Sequence, residues 1–183
     1  MSILLLLILC LGLAACGSEE TEKAEKTPRP TVPPGIDLTS APEQTWDLFT
    51  IYIPDDMEFF GGSDEDPDDT NCFMLKKDYE HYIKFASNEQ KQPILDLYNS
   101  HIEQITYTKT PIEGHYGEFR IKGVQFEDEE GTVGFEAYAK QKRGYTLISS
   151  MGYPFDSPVA VGVICAVKID GIMDNITPRP DSE

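Results

Sequence analysis

The sequence has few of the residues on which most enzymes and metal proteins depend. Its 183 residues include only three histidines and four cysteines. The histidines, His81, His101 and His115, are too dispersed for the three- or four-residue helical spacing of a zinc site. Gly-x-Ser-x-Gly, Cys-x-x-Cys and phosphate-binding glycine loops are missing as well. We therefore expect that the protein is not an enzyme and that it has no resident cofactor.

Positive charge is also scarce. The chain has 15 basic residues against 32 acidic ones, which gives a formal net charge of −17. A surface this acidic repels the phosphate backbone of nucleic acids. We therefore exclude nucleic acid as a partner and interpret most of the charge as a solvated surface.

Long hydrophobic runs are missing except at the start, from Ile3 to Leu13. A helix of this length rises about 16 Å, which is too short to span a hydrocarbon core about 30 Å thick. The run has the length of a signal-peptide core, and small residues follow it. The segment is therefore typical of an export signal, not of a transmembrane helix.

The four residues that close this run, Leu13-Ala14-Ala15-Cys16, resemble the lipobox of bacterial lipoproteins. The resemblance implies that residues 1–15 are removed as a signal peptide and that Cys16 is lipidated. Two or three acyl chains hold a protein stably at a membrane. The expected location is the cell envelope outside the cytoplasm, and the outer membrane if the cell has one, because Gly17 follows the cysteine. An ordinary signal peptide with no lipid is the alternative.

Composition divides the rest of the chain. Residues 16–43 are rich in Ser, Glu, Thr, Lys and Pro, which bury little apolar surface, so we expect a disordered tether. Residues 44–177 carry alternating and helical apolar patterns and form the expected domain. Residues 178–183 form a charged, disordered tail.

Within the domain, apolar alternation and turn residues predict an antiparallel sheet. The expected strands are Leu48–Ile53, Cys72–Leu75, Tyr79–Ala86, Tyr116–Phe126, Thr132–Lys140 and Tyr145–Gly152. Helical spacing predicts a central helix from about Gln92 to Ile105, with Pro93 in its first turn. A second helix is expected from the N-cap Ser157 to about Ile172. This order predicts an α+β fold, an antiparallel sheet packed with a central and a C-terminal helix.

Three segments resemble the PsbP/Mog1-like fold over about residues 46–176. They are the strand and Pro turn of Phe49-Thr50-Ile51-Tyr52-Ile53-Pro54-Asp55-Asp56, the glycine turn of Gly114-His115-Tyr116-Gly117-Glu118-Phe119, and the strand start Arg143-Gly144-Tyr145-Thr146-Leu147. The resemblance implies an accessory or assembly role through protein binding. A cystatin-like or other helix-on-sheet arrangement is the alternative.

An acidic loop offers one cation-binding hypothesis. Asp64, Asp66 and Asp68 alternate as carboxylates do at the start of an EF-hand calcium loop. Asp69 stands where that loop needs glycine, and Leu75 where it needs a closing glutamate. The alternative is a solvated hairpin loop.

Two cysteines, Cys72 and Cys165, remain in the expected domain. In an oxidising compartment they are candidates for a disulfide that would pin the last helix to the sheet. The alternative is that they are thiols, with Cys165 a small core residue.

Tyrosines provide the other candidate site. Tyr52, Tyr79, Tyr82 and Tyr138 lie on expected strands, where exposed rings would form a partner-binding surface. The alternative is that these rings flank the sheet and cover it. We therefore favour a non-catalytic, membrane-anchored protein that binds an unidentified envelope protein. The alternatives are a small-ligand or Ca²⁺-binding lipoprotein and a hydrolase with an unrecognised site.

Overall fold

A computed structural model describes residues 32–62, 71–142 and 144–169. Ten strands and two helices occur in this part of the chain, so the α+β prediction is confirmed. In chain order the strands before the first helix are β1 (Glu43–Trp46), β2 (Phe49–Tyr52), β3 (Glu58–Gly61), β4 (Cys72–Lys76) and β5 (Tyr82–Asn88). The elements that follow are α1 (Lys91–Gln104), β6 (Lys109–Tyr116), β7 (Phe119–Glu127), β8 (Val133–Gln141), β9 (Gly144–Met151), α2 (Pro158–Ala166) and β10 (Lys168–Ile169).

The strands form two antiparallel sheets. The larger has seven strands in the order β3-β4-β5-β9-β8-β7-β6, and the smaller has three in the order β1-β2-β10. Alternate side chains along the large sheet point to opposite faces. The three-stranded sheet and α2 pack on one face, and α1 packs on the other, so the large sheet is the middle layer.

The main core lies between the large sheet and the layer formed by the small sheet and α2. Aromatic rings connect the two: Phe49 of β2 lies 5.1 Å from Phe73 of β4, and Phe73 stacks on Phe85 of β5 at 4.7 Å between centroids. All three side chains are fully buried. A second, smaller cluster lies on the opposite face, where Ile94 and Tyr98 of α1 pack on Leu147 of β9.

Both helices begin as the sequence predicts. Pro93 lies in the first turn of α1, where its missing N–H is no loss. Ser157 caps α2 by accepting a hydrogen bond from the Ala160 amide at 3.2 Å. The expected end of this helix near Ile172 is wrong. It ends at Ala166 because Lys168 and Ile169 pair with Thr50 and Phe49 of β2 as a third strand.

The expected strand Tyr116–Phe126 is also wrong in one respect. It is the end of β6 and most of β7, joined by a tight turn at Gly117 and Glu118. Gly117 has a φ of +55°, which favours glycine, and Tyr116 pairs directly with Phe119 across the turn. The chain therefore reverses its direction at Gly117, and the run is not one continuous strand.

The described residues before β1 pack against the domain. The Ile36 amide donates to the Pro158 carbonyl at 2.8 Å, and Leu38 is buried in the main core. Gly35 and Gly162 allow this segment to lie directly against the backbone of α2. Packing against the domain therefore begins before residue 44, where we expected the boundary.

Candidate functional site

Helix α1 covers only one end of the outer face of the large sheet. Its buried residues Ile94 and Tyr98 pack over Leu147, with Tyr138 and Ala86 beside them. Toward the other end of the same face, the strands are left open between the C-terminal end of α1 and the turn that joins β4 to β5. This open part forms a groove of about 640 Å³.

The floor of the groove is a row of side chains in cross-strand register. Met74 of β4 lies opposite Lys84 of β5, which lies opposite Ser149 of β9, which lies opposite Glu136 of β8. Because paired residues of antiparallel strands share a face, all four point to the side of α1. The floor is therefore apolar at one end, cationic in the middle and anionic at the other end.

A polar centre forms where the floor meets α1. Glu136, whose side chain is 12% exposed, accepts a hydrogen bond from Ser149 Oγ at 2.8 Å on Oε2. The same oxygen lies 3.3 Å from Nδ1 of His101 on α1. These two contacts fix the carboxylate against the floor and join the helix to β8 and β9.

This trio differs from a nucleophilic triad. In a triad the imidazole stands between hydroxyl and carboxylate and takes the hydroxyl proton. Here the carboxylate stands between Ser149 and His101, and the serine bonds to Glu136 instead of the ring. The arrangement is suited to holding a carboxylate in place and presenting polar groups to a ligand.

The walls of the groove are rich in aromatic and other apolar side chains. They are Tyr79, Tyr82, Ile105, Tyr107, Phe126 and Met151. Tyr79 is 89% exposed, the most exposed large hydrophobic side chain of the described residues. Lys76 lies with its ammonium 3.6 Å from the centroid of the Tyr79 ring, a distance at which cation–π attraction orients the ring.

The turn that carries Tyr79 is held by its own hydrogen bonds. The Lys77 amide donates to the His81 carbonyl at 2.9 Å, and the Glu80 amide donates to Asp78 Oδ1 at 2.9 Å. His81 Nδ1 lies 2.8 Å from the same oxygen, and this hydrogen bond lowers the pKa of the Asp78 carboxyl. A turn fixed in this way holds an exposed tyrosine ready for contact at low entropic cost.

The four tyrosines predicted as one partner surface lie in three places. Tyr79 and Tyr82 line the groove. Tyr138 is covered by α1, its ring 5.2 Å from that of Tyr98. Tyr52 lies on the small sheet, where Lys168 donates to its hydroxyl at 3.1 Å.

Tyr52 lines a second, apolar cavity of about 500 Å³ beside α2. Its walls come from the segment 32–39 and from Val161, Gly162, Cys165 and Ala166 of the helix. This cavity lies where the chain enters the domain from its N-terminal side. It contains no cluster of polar side chains comparable to the centre at Glu136 among the residues that the structure describes.

The candidate disulfide between Cys72 and Cys165 is not formed in the structure, and both side chains are thiols. Cys72 is 2% exposed at the start of β4, on the face of the sheet opposite the layer that contains α2. Cys165 is exposed on α2, and the turn at Gly117 closes over its backbone. Partial burial raises the pKa of the Cys165 thiol.

Several predicted sites lie outside the described residues. These are the lipidation residue Cys16 and the carboxylates Asp64, Asp66 and Asp68. Within residues 32–62, 71–142 and 144–169, no group of His, Cys, Asp and Glu is placed to hold a metal ion. In the same ranges, neither helix has the length and apolar character needed to cross a membrane.

Sequence reasoning did not find the polar centre, because its members are distant in the chain. His101, Glu136 and Ser149 lie on three different elements. The sequence of β8 does contain a signal for a polar site. Glu136 is a charged residue among small and apolar ones in Val133-Gly134-Phe135-Glu136-Ala137. A carboxylate inside a buried strand requires hydrogen-bond donors, and here they come from β9 and α1.

Comparisons with known proteins supply no family. No protein-family model matches the chain, and no curated protein matches it. A crystal structure of a Bacteroides thetaiotaomicron protein, at 1.50 Å resolution, is similar with a TM-score of 0.38 and 12% sequence identity. The likeness covers 68% of this chain and 46% of that one, so this chain spans less than half of that protein.

Proposed function

We propose that this protein is a membrane-anchored lipoprotein of the cell envelope whose domain binds a partner protein without catalysing a reaction. The observation that carries the proposal is the open groove beside α1, with an exposed tyrosine at its rim. A sheet face left half covered by its helix, and walled by Tyr79, Tyr82 and Tyr107, offers the aromatic contact area that protein interfaces favour.

The anchor is the second part of the proposal. An export signal closed by a lipobox-like Cys16 would place lipid on that cysteine, with the domain outside the cytoplasm. Gly17 after the cysteine is compatible with delivery to an outer membrane where the cell has one. Residues 17–31, rich in charge and proline, would keep the groove clear of the bilayer.

A PsbP/Mog1-like arrangement of the domain is the third part. The order of elements supports it: paired strands, the central helix α1, an antiparallel meander from β6 to β9, and the terminal helix α2. Domains of that kind serve as accessory and assembly factors, which agrees with a binding role for this chain.

Recovery of partners from intact cells tests the binding role. The tagged full chain is crosslinked in the cell, purified and analysed by mass spectrometry, beside the variants Tyr79→Ala and Tyr52→Ala. Tyr79 lines the groove and Tyr52 lies on the other side of the large sheet, so the second variant is a matched control. We expect one envelope protein in stoichiometric yield, several-fold reduced in Tyr79→Ala and unchanged in Tyr52→Ala. Equal recovery from both variants would contradict the groove as the binding site.

A further inference from the structure

The charge inside the groove is opposite to the charge of the protein. The chain carries a formal net charge of −17 with histidine neutral, yet two lysines, Lys76 and Lys84, line the groove together with a single carboxylate, Glu136. That carboxylate already has two hydrogen-bonding neighbours, Ser149 and His101. The remaining charged groups that face a ligand are therefore cationic.

Lys84 is the central residue of this cationic floor. Its side chain is half-buried between Met74 and Ser149, its cross-strand neighbours. Within the described ranges it forms no ion pair. Glu136 is two strand spacings away in the same row, about 10 Å between backbones, and Oε2 of its carboxylate bonds to Ser149 and His101. A half-buried ammonium without a carboxylate neighbour favours a ligand that brings one.

Lys122, another lysine of the large sheet, provides a comparison for Lys84. It lies on β7, directly opposite Glu113 of β6, and the two form an ion pair at 3.3 Å. Both members of this pair are largely exposed. Lys122 therefore has a carboxylate as its cross-strand neighbour, whereas Lys84 inside the groove has Met74 and Ser149.

Resting on the proposed function, we infer that the groove binds an acidic segment of the partner protein, whose carboxylate is bound by Lys84. Lys76 at the rim adds a second positive charge, held over Tyr79. Apolar side chains next to that carboxylate would lie against Met74, Met151 and the tyrosine rings. The segment would be a carboxylate flanked by aromatic or aliphatic residues.

A preference for acidic peptides would distinguish the groove from the rest of the surface. A protein of net charge −17 attracts basic peptides and repels acidic ones through its overall field. Salt screens that field strongly, since the Debye length falls from about 8 Å at physiological ionic strength to about 3 Å at 1 M. A preference for acidic peptides can therefore come only from local contacts, and it should become clearer as salt is raised.

A peptide array tests the inference with the full chain. Each set contains acetyl-AALEFAA-amide and two relatives in which the glutamate is replaced by glutamine or lysine, with the two flanking residues varied over all apolar types. We expect the glutamate members to bind about tenfold more tightly than the glutamine members, as is usual for a charge-assisted hydrogen bond. Lys84→Met should remove most of that difference and leave only the part that Lys76 provides, Lys84→Glu should transfer the preference to the lysine members, and the control Lys122→Met should leave it intact. Melting curves of each variant establish that the fold is retained.

The outcomes separate the inference from the proposed function. Equal binding of glutamate and glutamine members, or a preference for lysine that persists at high salt, would overturn the acidic segment while peptide binding in the groove stands. Peptide binding that is insensitive to Tyr79→Ala, or no binding by any set, would overturn the groove as a protein-binding site and the inference with it.

Discussion

Ser149 on β9 donates a hydrogen bond to Glu136 on the neighbouring strand β8, with Oγ 2.8 Å from Oε2. The two residues are direct cross-strand partners, and the serine is 4% exposed. This contact holds the carboxylate flat against the sheet at the end of the groove floor. It leaves Lys84, on the other side of Ser149, as the charged group without a counterion in the described part of the floor.

The first prediction concerns the stability provided by this carboxylate. Glu136→Ala leaves the buried Ser149 hydroxyl without its acceptor, so we expect a loss of about 1–3 kcal/mol in the free energy of unfolding. Glu136→Gln keeps an acceptor oxygen and should cost less. Urea unfolding of the two variants measures the difference. Glu113→Ala is the control, because Glu113 is 71% exposed and its ion pair should contribute little. Equal effects of Glu113→Ala and Glu136→Ala would contradict the account of the polar centre.

The second prediction concerns the segment that enters the domain. A Cβ on Gly162 would lie 2.5 Å from Cγ1 of Ile36 and 2.8 Å from its amide nitrogen. Gly162→Ala should therefore lower the free energy of unfolding by about 1–3 kcal/mol and expose residues 32–41 to proteases. Gly35→Ala removes space at the same contact, and the double variant should lose less than the sum of the two. Additive losses, or protease resistance equal to that of the unaltered chain, would show that this segment does not pack on α2.

The third prediction concerns the thiols. A thiol-specific reagent should find Cys165 reactive in the folded protein and Cys72 reactive only after unfolding, since Cys72 is 2% exposed. Partial desolvation raises the pKa of the Cys165 thiol, so little thiolate is present near pH 7 and the rate should rise steeply toward alkaline pH. Cys165→Ser should abolish the reaction of the folded protein. Loss of both thiols without added oxidant would contradict the structure.

The fourth prediction concerns the anchor. Cys16→Ser should abolish incorporation of labelled palmitate and move the protein from the detergent phase to the aqueous phase in a cloud-point separation, because no lipid could attach. Cys10→Ser is the matched control and should leave labelling unchanged. Label retained in Cys16→Ser would place any lipid elsewhere and remove the basis for the tether.

Much of the fold was predictable because local patterns agree with tertiary packing. The alternation in β4, β5, β8 and β9 places Phe73, Phe85, Phe135 and Ile148 on one face, and the structure buries them together. Ser157 at the N-cap and Pro158 at the first helical position are local signals for the start of α2, and the helix begins there. In these segments the local preference and the global arrangement coincide.

The missed features depend on long-range contacts. β10 is formed by pairing with β2, and β3 is formed by pairing with β4. The resemblance implies a glycine-containing turn at residues 114–119, but the strand prediction runs through it, because Gly117 lacks the Asn-Gly or Asp-Gly signature of a hairpin and the apolar pattern continues across it. The groove arises from how much of the sheet α1 leaves uncovered, and the helix sequence does not determine that.

The central claim is that a partner protein is bound in the groove, and site-specific photocrosslinking in living cells tests it most directly. A benzophenone amino acid is introduced at position 79, at the rim of the groove, and in a second strain at position 118, in the exposed turn between β6 and β7 at the opposite end of the sheet. We predict one discrete, light-dependent adduct with an envelope protein from position 79 and none from position 118. Adducts from both positions, or from position 118 alone, would contradict the claim.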